Sequence, residues 1–327
     1  EEHIPEVGDT HVYDIAGQSY LIVRSAPDEI KAFPNACLHR GRQLRDYGGS
    51  CGDELRCPFH GFAWSLEGEL ADVPGRWDFP HVHDDDFRLP EVKVGTWEGF
   101  VMINPDPEAE PIEDYLGSIR EHFTRWDLEQ RYVQAHVTKI IRANWKVAQE
   151  AFCEAYHVGG THPQGLPYLG DFNTQVDIWE NHARAITPGG TPSPQLGWEP
   201  TEDEILAYSL DVRVDEEPFI SIAEGETARS ASAARAREQW RPTVGDQVDT
   251  WCDAEFMDSI DYTVFPNFQR WGAYNRIVYR FRPNGDDHRS SIMEVLFVAP
   301  FDGERPPPAP IHALSADEPW TDAPELG

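Results

Sequence analysis

Two short segments constrain this 327-residue chain more than any other: Cys37-Leu38-His39 and, after a gap of seventeen residues, Cys57-Pro58-Phe59-His60. Each segment pairs one cysteine with one histidine. A Cys-x-His…Cys-x-x-His order suits a cluster of two irons and two sulfides, with thiolates on one iron and imidazoles on the other. The competing reading is structural zinc, but zinc modules usually place a Cys-x-x-Cys at one end. Glycine follows each half, at Gly41 and Gly61, as two loops folded tightly around a cluster require. Neutral imidazoles reduce the negative charge of such a centre and raise its potential above that of an all-cysteine cluster.

The region around these segments reads as short strands and turns. Ser19–Arg24 and Phe100–Asn104 are rich in β-branched and apolar residues, the pattern of strands bounded by turn residues. Pro105–Pro111 is acidic and proline-rich and reads as a linker. Beyond it the pattern predicts a helix over Ile112–Phe123, a strand over 132–142 and a helix from Trp145 to His157 ended by Gly159-Gly160. Later strands are expected at Tyr262–Phe268, Arg276–Phe281 and Ser291–Phe301, with Asn284-Gly285 as a hairpin turn. The expectation is an α+β chain: a small all-β domain over residues 1–105 and a larger domain of antiparallel sheet and helices over 106–327. There is no internal repeat and no glycine-rich nucleotide fingerprint.

Composition excludes several classes. With 58 acidic against 27 basic residues, the net charge of −31 disfavours nucleic-acid binding. No apolar run approaches the roughly 18–20 residues of a membrane span. The start of the chain lacks a signal-peptide pattern, so a cytoplasmic location is expected. The hydrophobic content of 40% marks a folded protein. Of five cysteines, Cys51, Cys153 and Cys252 remain outside the cluster motif and show no pairing pattern. Arg40, Arg42 and Arg45 form a local basic group beside the first loop. They either pair with nearby acids or form a docking patch for an acidic electron donor.

A second constellation is Glu154-Ala155-Tyr156-His157 followed by His162-Pro163. Two histidines near a helix end can converge on one metal, and with one carboxylate they would make a non-haem iron face with open positions. Taken alone, a close histidine pair among 13 is as readily a surface or core feature.

The stretch from Asn35 to Leu70 resembles the cluster-binding region of the Rieske oxygenases, the large (alpha) subunits of aromatic-ring hydroxylases and related monooxygenases. Asn144–Pro163 resembles the mononuclear-iron helix of the same family, in the same order along the chain. Arg42 and Phe59 stand where respiratory Rieske proteins carry two further cysteines, which argues against that group. The resemblance implies a Rieske [2Fe–2S] domain followed by a helix-grip-like catalytic domain. It implies cluster ligands Cys37, His39, Cys57 and His60, and mononuclear Fe(II) on His157 and His162. Glu154 would be the electron and proton bridge between a cluster histidine, His60, and iron ligand His157 across neighbouring subunits of a homotrimer. Two departures are Ala151 for the family's usual asparagine and glutamate, not aspartate, at 154.

The family's third iron ligand is a distant aspartate. Asp317–Gly327 resembles the run that precedes it, so the expectation is a truncated chain with that aspartate beyond Gly327; Asp322 and Glu325 are the substitutes available. The implied partners are an NAD(P)H-dependent flavin reductase, a ferredoxin, O₂ and a small organic substrate. The product would carry one hydroxyl or a cis-dihydrodiol, or would have lost a methyl group. Phe172, Trp179, Trp198, Phe219, Trp240 and Trp251 permit a roomy apolar cavity, so an aromatic or polycyclic substrate is expected. Gln164–Asp171 and Phe219–Ile222 are candidates for its lining. Two other classes are an electron-transfer protein with a degenerate second domain and a non-catalytic zinc-binding structural subunit.

Overall fold

The computed structural model describes residues 1–126, 130–210, 220–273 and 275–326. The N-terminal part is built from short antiparallel strands: β1 (Asp9–Ile15), β2 (Gln18–Ala26), β3 (Glu29–Pro34), β4 (Gly49–Ser50), β5 (Glu54–Arg56), β6 (Ala63–Ser65) and β7 (Leu70–Asp72). β1 to β4 form one sheet in the order β3-β2-β1-β4, and β5 to β7 form a second. Leu21, Val23, Phe33, Leu55 and Trp64 are fully buried between them. Cys37 and Cys57 belong to the same core, because the loops that carry them hang from these strands. The hairpin of β8 (Lys93–Trp97) and β9 (Phe100–Asn104) follows. It packs Val94, Val101 and Ile103 against Ile4, Ile22 and Val92, and Trp97 and Phe100 against the following part of the chain.

That part begins with α1 (Ile112–Leu116) and α2 (Ile119–Phe123). One helix was expected here; Gly117 at φ 50° breaks it in two. Next come β10 (Arg131–Ile141), α3 (Trp145–Glu150) and α4 (Val158–Thr161). These are followed by β11 (Gln175–Ile178), β12 (His182–Thr187), α5 (Glu202–Ser209), α6 (Ala228–Val244) and α7 (Ala254–Met257). β13 (Ser259–Val264), β14 (Phe268–Trp271), β15 (Ile277–Asn284), β16 (Asp287–Pro300) and β17 (Ile311–Leu314) complete the order. Eight strands make one sheet, β11-β12-β13-β14-β15-β16-β10-β17, antiparallel except for the parallel β10/β17 pair. The β15–β16 hairpin turns at Gly285-Asp286, one residue later than expected, because Asn284 still pairs with Asp287; Gly285 takes φ 56°.

Alternation along the strands gives this sheet two faces. On one, Tyr262, Val264, Phe268, Val278 and Leu296 pack against α1, α2 and the β8–β9 hairpin. On the other, Phe281, Met293 and Val295 pack against Trp145, Ala148 and Phe152 from α3 and the loop after it. α5 and α6 were not anticipated by the sequence reading. Both begin with a capping box, at Thr201/Glu204 and Thr227/Ser230, a start signal that the sequence does display.

The two parts of the chain meet across a buried polar seam. Glu294 on β16 is 2% exposed. It pairs with Arg280 and, at 3.3 Å, with Arg282, both on β15. Both guanidinium groups lie under the ring of Tyr13 on β1, at 5.2 and 5.7 Å, and Arg282 also donates to the carbonyl of Asp14 at 2.9 Å. Burial alone would push Glu294 up, but Arg280, His136 and Arg282 together hold it well below the usual carboxylate range.

Candidate functional site

The two cluster loops are built alike. The amide of Cys37 donates to Arg42 O at 2.8 Å, and Gly41 N returns to Cys37 O at 2.8 Å. The amide of Cys57 donates to Phe62 O at 2.8 Å, and Gly61 N returns to Cys57 O at 3.1 Å. Both glycines take left-handed φ, 72° and 79°, which costs a side-chain-bearing residue roughly 1–2 kcal/mol. Each loop therefore turns its cysteine inward and its histidine towards the other loop. The thiols are free and buried, with Cys37 and Cys57 at 4% and 2% exposure. The His39 and His60 rings meet at 4.8 Å, and His39 Nδ1 is buried with no partner. Burial pushes the Cys37 thiol up, and the neighbouring Cys57 adds to this, while the amides of His39 and Arg40 act in the opposite direction. Two buried thiols beside two imidazoles, one with an orphaned nitrogen, is a donor set that fits a Rieske-type [2Fe–2S] cluster. A Gly61 side chain would have its Cβ 3.1 Å from Pro74 Cγ. Gly61→Ala is expected to lower cluster occupancy and the melting temperature, whereas Gly41→Ala, with open space around it, should do so less; visible absorbance per protein compares them.

The basic group beside these loops is mostly committed locally. Arg42 binds Asp46 through two contacts, at 2.8 and 2.5 Å, and Arg45 donates to the carbonyls of Tyr47, Gly49 and Ser50. Only Arg40 of the three is exposed without such a contact among the described residues. Phe59 adds an apolar group to the exposed surface here: it is 58% exposed, and its ring lies 3.8 Å from that of His60.

The second constellation sits on the segment that covers the large sheet. Asn144 caps α3 by accepting from the amide of Lys146 at 3.0 Å. α3 stops at Glu150, seven residues before the expected end. Phe152 then turns into the sheet and packs on Tyr279 at 4.8 Å and Phe281 at 5.8 Å. A continued helix would have to rotate that side chain away, so core packing overrides helix propensity. Gly159 and Gly160 do not end a helix; they lie inside the short α4. A Cβ on Gly159 would come 3.2 Å from the amide of Gln195. That amide is held by buried Asp171 at 2.7 Å, which also accepts from Ser193 at 2.5 Å.

His157 and His162 flank α4, with ring centroids 5.4 Å apart, a separation at which two imidazoles can share a metal ion. Glu154 Oε1 is 2.7 Å from His157 Nδ1, and its Oε2 accepts from the His157 amide at 3.1 Å. Burial pushes this carboxyl up, but the hydrogen bonds from the His157 ring and from the amides of His157 and Tyr156 leave it lowered. With Nδ1–H donated to Glu154, the Nε2 lone pair of His157 is free for a metal. Within the chain Glu154 makes no hydrogen bond to His60 among the described residues, and both side chains are exposed.

Among the described residues no group of three His, Cys, Asp or Glu side chains could hold a metal ion. A two-iron cluster needs only two side chains per iron, but the histidine pair is left one carboxylate short. Neither substitute joins it: Glu325 is engaged by His312 Nδ1 at 2.7 Å, and Asp322 is exposed in the turn Trp320–Asp322. Gly327 lies outside the described residues.

A cavity of about 190 Å³ lies between this segment and the sheet. Cys153, immediately before Glu154, covers it; Ala183, Ala185, Asp261 and Thr263 lie below it, with Val176 and Ile178 at the side. The aromatic residues singled out from the sequence do not border this cavity. None of Phe172, Trp179, Trp198, Trp240 or Trp251 borders the cavity, and Phe219 lies outside the described residues. Trp251 packs in the core on the opposite face of the sheet. Gln164–Asp171 does not line the cavity either, and Ile220 and Ile222 pack beside α5. Sequence reasoning missed Asp261; the available signal is a lone acid inside the apolar run of β13.

Comparison with known proteins agrees with this architecture. Residues 1–82 match the Rieske [2Fe-2S] domain. Residues 120–307, more than half of the chain, match the ring hydroxylating alpha subunit (catalytic domain). The chain belongs to the ring-hydroxylating alpha-subunit family. The two domains imply a Rieske cluster and a mononuclear iron as its cofactors. Similar proteins include the carnitine monooxygenase oxygenase subunit of Escherichia coli (strain K12), 31% identical over 49% of this chain and 44% of that one. Biphenyl 2,3-dioxygenase subunit alpha of Rhodococcus jostii (strain RHA1) is 30% identical over 55% of this chain and 40% of that one. The chain thus spans less than half the length of these two relatives. In fold it is similar to the quaternary ammonium Rieske monooxygenase CntA in complex with gamma-butyrobetaine, with a TM-score of 0.62 and 17% identity over 92% of this chain and 67% of that one. It is also similar to naphthalene 1,2-dioxygenase from Rhodococcus sp. bound to indole, with a TM-score of 0.61 and 22% identity over 93% of this chain and 67% of that one. No helix among the described residues is long and apolar enough to cross a membrane.

Proposed function

We propose that the chain is the oxygenase component of an NAD(P)H-dependent system that oxidises a small organic substrate with O₂. Cys37 and Cys57 would hold one iron of the cluster, His39 and His60 the other, and His157 and His162 would hold the mononuclear iron. When bound, the cluster supplies single electrons and the mononuclear iron activates O₂ beside the substrate. The electrons come from a separate flavin reductase, directly or through a ferredoxin. The observation that carries this reading is the Glu154–His157 hydrogen bond at 2.7 Å, which orients one imidazole and leaves a free nitrogen for metal. Glu154 and His60 are both exposed, and Tyr156, two residues after Glu154, is 76% exposed. This favours a bridge between subunits, Glu154 of one meeting His60 of the partner subunit in a homotrimer.

The biphenyl relative makes an aromatic substrate one option, and the carnitine relative makes an N-methylated ammonium the other. A second reading, an electron-transfer protein, draws on the missing third ligand among the described residues. Iron and acid-labile sulfide in anaerobically purified protein separate the two. About three irons to two sulfides are expected for the oxygenase; about two to two would mean that the cluster alone is held.

A further inference from the structure

Asp261 is 4% exposed, and its Oδ1 is buried without a hydrogen-bond partner. Its Oδ2 has one long contact, to Gln269 Nε2 at 3.4 Å. That amide is shared with Thr263 Oγ1 at 3.0 Å and the Gln149 carbonyl at 3.4 Å. No ion pair reaches Asp261 among the described residues. Arg184, which borders the same cavity, is held by Asp177 at 2.6 Å and by Tyr262 Oη at 3.4 Å. Strand register explains the space beside the carboxyl. Asp261 pairs with Ala185 and Thr263 with Ala183 across β12/β13, so two alanines stand where longer side chains would close the cavity.

We propose that Asp261 is the specificity-determining residue of this cavity and selects a small organic cation, a methylated ammonium, over its uncharged isostere. The proposal rests on the reading that the cavity under Cys153 is the substrate site of the oxygenase. A buried carboxyl without a cation is costly to ionise, and burial holds Asp261 well above the usual carboxylate range. With no cation beside it, burial favours the neutral form of this acid. A ligand that brings its own positive charge supplies the missing partner. The carboxyl O–H then breaks, its proton leaves to solvent, and the carboxylate faces the cation. A neutral ligand of the same shape has no such partner to offer. The titratable groups that face Asp261 are Cys153 and, on β15, Tyr279; the Arg184 guanidinium turns to the opposite face of the sheet, where it meets Tyr262. Burial, then Asp261, raises Tyr279 to about 12, so it stays neutral during the exchange.

The test is calorimetric titration of the full chain with choline and with the alcohol in which carbon replaces its quaternary nitrogen, in two buffers of different ionisation enthalpy. Choline should bind about thirtyfold or more tightly than the alcohol, and release up to one proton. Asp261→Asn should abolish that preference to within about threefold and leave alcohol binding unchanged. Proton release by the unaltered protein keeps the test valid if the variant folds poorly. Equal binding of the two ligands, no choline binding at millimolar concentration, or a preference that survives Asp261→Asn overturns the proposal. Iron content of the same samples separates the two claims. Full iron without cation preference removes the selectivity alone, and cation preference without mononuclear iron removes the oxygenase reading alone.

Discussion

Replacing Glu154 with glutamine should leave cluster and mononuclear iron bound while turnover falls by about 10- to 100-fold, the usual cost of losing a group that orients a metal ligand. Glutamine keeps the length and can still accept from His157. It loses the negative charge that attracts the Nδ1 proton and that a partner histidine would need. In the proposed bridge Glu154 acts by positioning His157, so the deciding readout is electron arrival and not activity alone. In single-turnover experiments with pre-reduced protein, the cluster's reoxidation should slow while its absorption spectrum stays the same. Glu154→Asp restores the charge on a shorter arm and should recover part of the rate. If Glu154→Gln lowers iron content instead, the carboxylate merely braces His157. Reoxidation at the normal rate would falsify the bridge outright.

Glu294→Gln should cost about 3–5 kcal/mol, because it leaves Arg280 and Arg282 without their buried counter-charge. The loss should weaken the seam between the N-terminal sheets and the large sheet, since both guanidinium groups also lie under Tyr13. Differential scanning calorimetry should show a lower and less cooperative transition than in the unaltered protein. The acid limb gives a second check. Glu294 is depressed below 4.5 in the folded protein, so its contribution is fully present above pH 4.5 and is lost as pH falls towards the depressed value. His11 at the same seam is lowered from 6.5, chiefly by burial and then by Arg280. Its contribution is present above pH 6.5 and is also lost on acidification. Stability should therefore fall below pH 6.5 and more steeply below 4.5, and the steeper part should be reduced in Glu294→Gln. An unchanged acid limb would show that the seam holds without this carboxylate.

The cluster loops were readable from the sequence because their information is local. Cys37, His39 and Gly41, and Cys57, His60 and Gly61, each lie within five residues, and a tight turn leaves few ways to arrange them. Asn144 at the start of α3, the β9 strand at Phe100–Asn104 and the existence of a hairpin turn beside Gly285 were equally local. The end of α3 was not, because Phe152 leaves the helix to pack on Tyr279 and Phe281, more than a hundred residues away. Where the aromatic side chains point was not legible for a related reason: side-chain direction depends on strand register and on what packs against each face. Trp251 joins the core on the opposite face of the sheet, and Trp179 stacks on His182 at 4.8 Å.

By itself the sequence determined the chemistry the chain can hold: thiolates and imidazoles at cluster spacing, and a glutamate three residues before the first of two close histidines. It did so because ligands on one short loop or turn are brought together by backbone geometry alone. Only the tertiary structure decided what faces that chemistry. Asp261 stands beside Ala185, and Glu294 opposite Arg280, through strand pairing, and a one-residue change of register would send each to the other face of the sheet.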